Sequence, residues 1–210
     1  MFTRLARNFI RDGYFPTDDA TLSGVLAGIS CEVDHVRVID PCCGEGVALA
    51  EITARLRSEG IEVNALGVEF DAERAWHAKT LRDVALHSDV HDVAISRGSC
   101  GLLFLNPPYG DVVADKAGLT EKGAPRRLES IFLQRCLDCL QVGGVLVYIV
   151  PNYVVKAEMA SLLVRNFDQV RLYRAPEQRF KQCVIFGVRR RPRQPTAAAV
   201  EALVDAAARA

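Results

Sequence analysis

Asn106-Pro107-Pro108-Tyr109 is the stretch of this chain whose residue types are hardest to explain by stability alone. It follows Leu102-Leu103-Phe104-Leu105, an apolar run that reads as a buried strand. Two prolines remove two backbone donors and stiffen the chain. Asn106, directly before them, is held to extended conformations. The product is a rigid mouth at a strand's carboxyl end, displaying a side-chain amide, free carbonyls and an aromatic ring. Such a mouth is suited to holding a flat, planar amine.

A second cluster lies upstream. Asp40-Pro41-Cys42-Cys43-Gly44-Glu45-Gly46 falls between a strand, Val36 to Asp40, and a helix, Val47 to Ser58. Gly44 and Gly46 let a backbone approach a ligand with no Cβ in the way. Glu69 ends the next strand, Ala65 to Glu69, 23 residues beyond Gly46. An acid at that place can accept both hydroxyls of a ribose. A nicotinamide dinucleotide is disfavoured, because Leu49 stands where the third glycine of that fingerprint belongs and Asp40 repels a pyrophosphate. A cationic nucleoside without phosphates suits the acidic loop, and S-adenosylmethionine, with its sulfonium and ammonium, is such a ligand.

The elements that must position these residues alternate. Thr17 or Asp18 caps a helix through about Ile29, after a head (Met1 to Asp12) whose apolar residues have helical spacing. Asp71 caps a helix through about Val84, with a short strand at Ala85 to Ser88. Leu128 to Leu140 reads as a helix, Gly143-Gly144 opens the strand Val145 to Val150, and Lys156 to Phe167 is a helix. Val170 to Tyr173 and Cys183 to Val188 leave no room for a helix between them and should pair antiparallel. The pattern predicts an α/β fold: a Rossmann-like, doubly wound, mostly parallel seven-stranded sheet with one antiparallel strand at its C-terminal end. The divisions expected are an N-terminal helical segment (1–30), a core (31–191) and an Ala-rich helical tail (192–210). The polar stretch Gly110 to Arg127, next to the Asn106 motif, reads as a lid or binding loop.

Composition narrows the class. Half of the 210 residues are hydrophobic, and 26 basic residues balance 26 acidic ones, so bulk charge argues neither for nor against nucleic acid. Seven cysteines, odd in number and without scaffold spacing, point to reduced thiols and a cytoplasmic setting. Cys136-x-x-Cys139 lies in a predicted helix with no second ligand pair, so no metal is expected. No apolar run approaches the ~20 residues that span a bilayer.

Over about residues 14–190 the chain resembles the class I S-adenosylmethionine-dependent methyltransferases, and within them the amino-methyltransferases that carry Asn-Pro-Pro-Tyr. Asp40-Pro41-x-x-Gly44-x-Gly46 matches the family's first cofactor motif, with Cys42 inside it, and Glu69 matches its ribose-binding acid, with Phe70 beside it. Asp89 matches the acid that meets the adenine amino group, Asp92 being the fallback. Gly13-Tyr14-Phe15-Pro16-Thr17 is similar to the segment that closes over the methionine end in adenine-N6 enzymes, which implies Tyr14 and Thr17 as cofactor contacts. Asp18 departs from the pattern, where a second proline is common. The resemblance implies Asn106, Pro107, Pro108 and Tyr109 as the catalytic motif, with Asn106 also touching the cofactor. It implies N-methylation of an sp2 amine, adenine N6 in DNA being favoured. RNA base amines, a protein glutamine and an inactive binding subunit are the alternatives. The expected partner is nucleic acid, DNA over RNA, with target recognition supplied by a partner subunit or a further domain. Arg126-Arg127 and Arg189 to Arg193 are candidate phosphate contacts.

Overall fold

The computed structural model describes residues 15–81, 84–110, 127–177 and 180–210. The expected head helix, Tyr14, Arg126 and the stretch 111–126 lie outside the described residues.

The apolar runs bounded by glycine or acidic caps become seven strands: β1 (His35–Asp40), β2 (Glu62–Glu69), β3 (Val84–His87), β4 (Cys100–Leu105), β5 (Leu140–Pro151), β6 (Phe167–Arg174) and β7 (Gln182–Arg189). Among the described residues six α-helices precede, connect or follow them: α1 (Asp19–Gly28), α2 (Val47–Ser58), α3 (Ala72–Thr80), α4 (Leu128–Cys136), α5 (Ala157–Asn166) and α6 (Ala197–Arg209). Side-chain caps start three of them: Thr196 Oγ1 accepts from Ala199 N at 3.3 Å ahead of α6, and the other two are those the sequence predicts. Asp18 Oδ1 accepts from Thr21 N at 2.9 Å and Asp71 Oδ1 from Arg74 N at 2.9 Å.

The strands form one sheet in the order β3-β2-β1-β4-β5-β7-β6. Its pairs are parallel except those of β7, which runs antiparallel to both β5 and β6. The single antiparallel strand therefore lies second from the sheet edge, wedged between its neighbours. The short link from β6 allows only a hairpin return. The parallel strands are apolar on both faces, because helices cover both. Leu102 and Phe104 of β4 and Val147 and Ile149 of β5 pack beneath α1 and α2 with Leu22, Val25, Leu49 and Ile52. The alternating residues Leu103, Leu105, Leu146, Tyr148 and Val150 pack beneath α4, α5 and α6 with Leu133, Met159, Leu163 and Leu203.

Several boundaries differ from the sequence reading. α3 stops at Thr80, and Val84 opens β3 instead of closing a helix. α4 ends at Cys136 and tightens into a 3-10 turn, Leu137–Cys139, so Cys136 and Cys139 do not share one helix. β5 begins at Leu140, with Gly143 and Gly144 inside it. A Cβ on Gly144 would stand 2.7 Å from Leu140 Cδ1 and 3.0 Å from the Gly101 carbonyl, so Gly144 serves close packing, whereas Gly143, at φ +86° with open space around it, serves the backbone conformation of an irregular strand start. The Ala-rich tail docks through Leu203 and Ala207, and Asn152 Nδ2 donates to the Ala210 carbonyl at 3.2 Å. No helix among the described residues is long and apolar enough to cross a membrane.

Candidate active site

Strand order reverses between β1 and β4, and a doubly wound sheet opens a crevice at the carboxyl ends of such a pair. Asp40 ends β1, Leu105 ends β4, and Asn106 follows at once. A cavity of about 570 Å³ opens there. Its lining includes Pro41 and Cys42 after β1, Glu69, Phe70 and Arg74 around the start of α3, Ser88 and Asp89 after β3, and Asn106, Pro107 and Pro108 after β4.

Asn106 is fixed from both ends. Its Nδ2 donates to the Phe15 carbonyl at 2.9 Å and to Thr17 Oγ1 at 3.1 Å. Its Oδ1 accepts from the Tyr109 hydroxyl at 2.9 Å, and that hydroxyl accepts from Gln182 Nε2 at 2.7 Å. Its backbone carbonyl accepts from Cys42 Sγ at 3.2 Å. Three side-chain bonds therefore distinguish the amide oxygen from its nitrogen, and Oδ1 keeps one lone pair. The Tyr109 ring stacks on Phe15, with centroids 5.1 Å apart and planes at 19°, and Phe15 in turn meets Phe180 at 4.3 Å. Burial holds the Tyr109 hydroxyl protonated, well above its ordinary range.

Glu69, 5 % exposed, organises the other wall. Oε2 accepts from Gly44 N at 2.9 Å; Oε1 accepts from Asp71 N at 2.9 Å and from Arg74 at 3.1 and 2.8 Å. Three donors saturate Oε1, so the lone pair free for a ligand hydroxyl is on Oε2. Gly44 and Gly46 take left-handed backbone, φ 57° and 85°, which turns the loop so that Gly44 N meets that carboxylate. Behind them Asp40 is 2 % exposed and accepts from Cys42 N at 3.1 Å. Burial raises its pKa to about 7, against the lowering effect of the Cys42 hydrogen bond and with Glu69's charge adding to the rise. The Cys42 and Cys43 thiols are also pushed up by burial, which leaves them protonated and poor nucleophiles. Asp89 is half exposed; burial is the largest single effect on its pKa and raises it, but the hydrogen bonds from His91 N and Nδ1 at 2.9 and 2.8 Å, with nearby positive charge, together outweigh it and lower the pKa.

The structure thus brings Pro41, Cys42, Glu69, Phe70, Asp89, Asn106, Pro107 and Pro108 into one cavity wall. Thr17 reaches it through Asn106, and Gly44 through Glu69. Asp40 and Gly46 lie behind the lining, and Gly46 serves as the N-cap of α2. Asp92, the fallback acid, is not in the lining. Tyr109 faces Phe15 and is not part of the lining either. Sequence reasoning missed Arg74, His87, Phe132 and Gln182. An arginine five residues after Glu69 was the one legible signal among them. Among the described residues no three potential metal ligands cluster, and all seven cysteines are free.

The volume falls in the usual range for small-ligand sites. Its chemistry fits a nucleoside with a cationic arm: an acid with a spare acceptor at Oε2 of Glu69, a second carboxylate at Asp89, and the exposed ring of Phe70. The Arg74 guanidinium is tied to Glu69 and offers no open phosphate cradle.

These features are those of a methyltransferase. The chain belongs to an uncharacterised methyltransferase family, DUF6094, whose model matches residues 1–208. No curated protein matches it. Among solved structures it is similar to a protein assigned to the class I S-adenosylmethionine-dependent methyltransferases from Listeria monocytogenes (16 % identity, TM-score 0.71, 90 % of this chain and 69 % of that one). It is similar also to the methyltransferase subunit of a type I restriction-modification system from Streptococcus thermophilus (16 %, 0.64, 94 % and 53 %), spanning about half of that chain. A third is the tRNA (m1A58) methyltransferase TrmI of Aquifex aeolicus (14 %, 0.52, 85 % and 78 %). At these identities the likeness establishes the fold. S-adenosylmethionine is the cofactor that this fold and a methyltransferase family call for.

Proposed function

We propose that the protein transfers a methyl group from S-adenosylmethionine to an sp2 exocyclic amine, adenine N6 in DNA being the favoured target. The observation that carries this reading is the oriented Asn106 amide. With Nδ2 occupied by Phe15 and Thr17, the oxygen is the atom left to meet a substrate N–H.

The cofactor, when bound, supplies an electrophilic methyl on a sulfonium, so the chain's task is to aim a weak nucleophile. An aromatic amine has its lone pair delocalised into the ring. Asn106 Oδ1 and the Pro107 carbonyl, accepting its two N–H bonds, draw that pair out of conjugation. Both acceptors are rigid before the substrate arrives, which is where such sites gain most. Glu69 Oε2 holds a ribose hydroxyl and Asp89 the adenine amine. Tyr109 acts through its hydroxyl on Asn106, and its ring stacks on the substrate only if it leaves Phe15. The proton leaves to water after transfer, since no basic side chain touches Asn106 Oδ1 among the described residues. In a duplex the target base must be extruded to reach this mouth.

The favoured substrate draws on the Tyr14 to Thr17 segment and, more weakly, on the structural neighbour from a restriction-modification system, itself a subunit. A partner subunit that reads the target sequence accords with that neighbour. The test is incubation of the full chain with methyl-labelled S-adenosylmethionine and DNA, RNA or protein, followed by nucleoside and peptide mass spectrometry. N6-methyladenine in DNA is the expected product. Label in RNA alone moves the substrate to an RNA amine. Label in glutamine alone removes nucleic acid, and cofactor binding without any label leaves a scaffold.

A further inference from the structure

A second groove, also about 570 Å³, lies on the sheet face that carries α1 and α2, beyond the edge of α1. Here no helix among the described residues lies over β6 and β7. Val184, Phe186 and Val188 form its floor, and the cross-strand partners Tyr173↔Val184 and Arg171↔Phe186 put Tyr173 and Arg171 on the same face. The opposite wall is α1, which presents Gly24 and Gly28. A Cβ at Gly24 would meet nothing within 4 Å, and one at Gly28 would come 3.0 Å from the Phe186 ring. Small residues therefore hold a slot open over an aromatic floor.

Three observations indicate what the slot takes. Tyr173 is 53 % exposed and stands edge-on to Phe186 at 5.8 Å, so a ring face is presented to solvent. The charged residues of the lining are Arg171 and Arg174, and neither has an ion pair among the described residues. On the α1 wall, Thr21 is 2 % exposed and its Oγ1 has no hydrogen-bond partner, an orphan polar group of the kind a ligand satisfies. An aromatic face, two guanidiniums without ion pairs among the described residues and one orphan hydroxyl match a stacked base with its phosphates. The groove lies on chain segments that also build the catalytic mouth. Its upper end is Thr21, Arg174 and Pro176, and the chain on either side of it supplies Thr17 and Phe15 to Asn106 and Gln182 to Tyr109.

We propose that the α1–β6–β7 groove is the track for a single-stranded segment of nucleic acid flanking the methylated base, with a base on Tyr173 and phosphates on Arg171 and Arg174. It rests on the nucleic-acid reading of the active site. It assigns target holding to the core domain itself, on the face opposite α4, α5 and α6.

The experiment is fluorescence anisotropy of the full chain with a labelled 12-mer of single-stranded DNA across a salt series. Tyr173→Ala should weaken binding about tenfold, a typical loss for one stacked base. The double variant Arg171→Ala, Arg174→Ala should flatten the salt slope by about 1.4, at ~0.7 per phosphate contact on single strands. Gly24→Leu fills the slot with a better helix former and should weaken binding without loss of fold. S-adenosylmethionine binding heat should not move in any of them. Unchanged oligonucleotide affinity in all three variants overturns the groove while leaving the active-site reading intact. A wild-type protein that binds and methylates no nucleic acid overturns both. Free dAMP competing as well as the 12-mer, per nucleotide, overturns the strand in favour of a mononucleotide. Tyr173→p-benzoylphenylalanine adds a cross-link. A mass-mapped adduct with the oligonucleotide supports the proposal, whereas one with residues 1–14 or with a second copy of the chain refutes it.

Discussion

Removing one oxygen tests whether Tyr109 works through its hydroxyl. Tyr109→Phe keeps the ring and its stack on Phe15, but deletes the donor to Asn106 Oδ1 and the acceptor for Gln182 Nε2. Gln182 is 5 % exposed, so its amide is left with an unpaired N–H in a place water barely reaches. Leaving such a group unsatisfied costs about 1–3 kcal/mol. For a domain of this size that corresponds to a melting temperature lower by roughly 4–8 °C at the middle of the range. Asn106 loses one of the three side-chain bonds that hold it, and the loss of about 1.4 kcal/mol of aim slows methyl transfer about tenfold. S-adenosylmethionine affinity should stay as it is, because Tyr109 is outside the cavity lining. The assay is single-turnover methyl transfer with melting curves for Tyr109→Phe, Gln182→Leu and the double variant. Gln182→Leu removes the stranded donor, so the double variant should be no worse than either single one, with a coupling of about 1 kcal/mol or more. Additive losses, or a Tyr109→Phe protein with wild-type rate and melting temperature, would refute the hydroxyl chain.

Asn106→Ala should abolish measurable methyl transfer with cofactor binding retained in calorimetry; joint loss of both would move Asn106 from catalysis to structure. Glu69→Gln keeps the shape but exchanges an acceptor oxygen for a donor NH2 and weakens the pull on Arg74. S-adenosylmethionine affinity should drop at least tenfold by titration, and an unchanged value would displace Glu69 as the ribose acid. Asp40 gives a pH test. Its folded-state pKa is raised from 3.8 to about 7, so the fold favours its protonated form. The resulting stability is full below about pH 4, declines as pH rises to about 7, and is flat beyond. The melting-temperature advantage of wild type over Asp40→Asn should follow that curve, and a pH-independent difference would count against the burial argument. Gly67→Ala puts a Cβ 2.7 Å from Cys43 Sγ and 3.3 Å from Leu49 Cδ2 and should cost about 1–3 kcal/mol by overpacking in denaturant titration. Gly60→Ala, at φ +86° with open space around it, should lose only about 1–2 kcal/mol of backbone strain.

The parts of this molecule legible in its sequence are those encoded locally. Val36 to Asp40 and Leu102 to Leu105 are apolar runs because both their faces are covered, and the acids and asparagine that end them mark the sheet's open edge. Asp71 announces α3 because its carboxylate replaces a missing intrahelical acceptor. The rest depended on which distant segments meet. Gln182 looks like any polar residue opening a strand, and its role is set by β7 running opposite to its neighbours, which delivers its first residue to the catalytic edge. Gly143-Gly144 carries the composition of a turn, but both lie inside β5, where Gly144 lets Gly101 and Leu140 approach closely. Arg74 is ordinary on a helix until Glu69 is placed beneath it.

The bonds that orient Asn106 join it to Phe15 and Thr17, 91 and 89 positions away in sequence, and join Tyr109 to Gln182, 73 positions away. No contiguous fragment shorter than most of the core holds all these partners. Catalytic competence is thus a global property of the chain, gained late in folding because closing such long loops precedes any reward. During gradual denaturation, turnover should vanish together with the whole sheet and leave no partly unfolded species that still methylates. Any opening that separates the lead-in to α1, the end of β4 and the start of β7 should therefore end turnover.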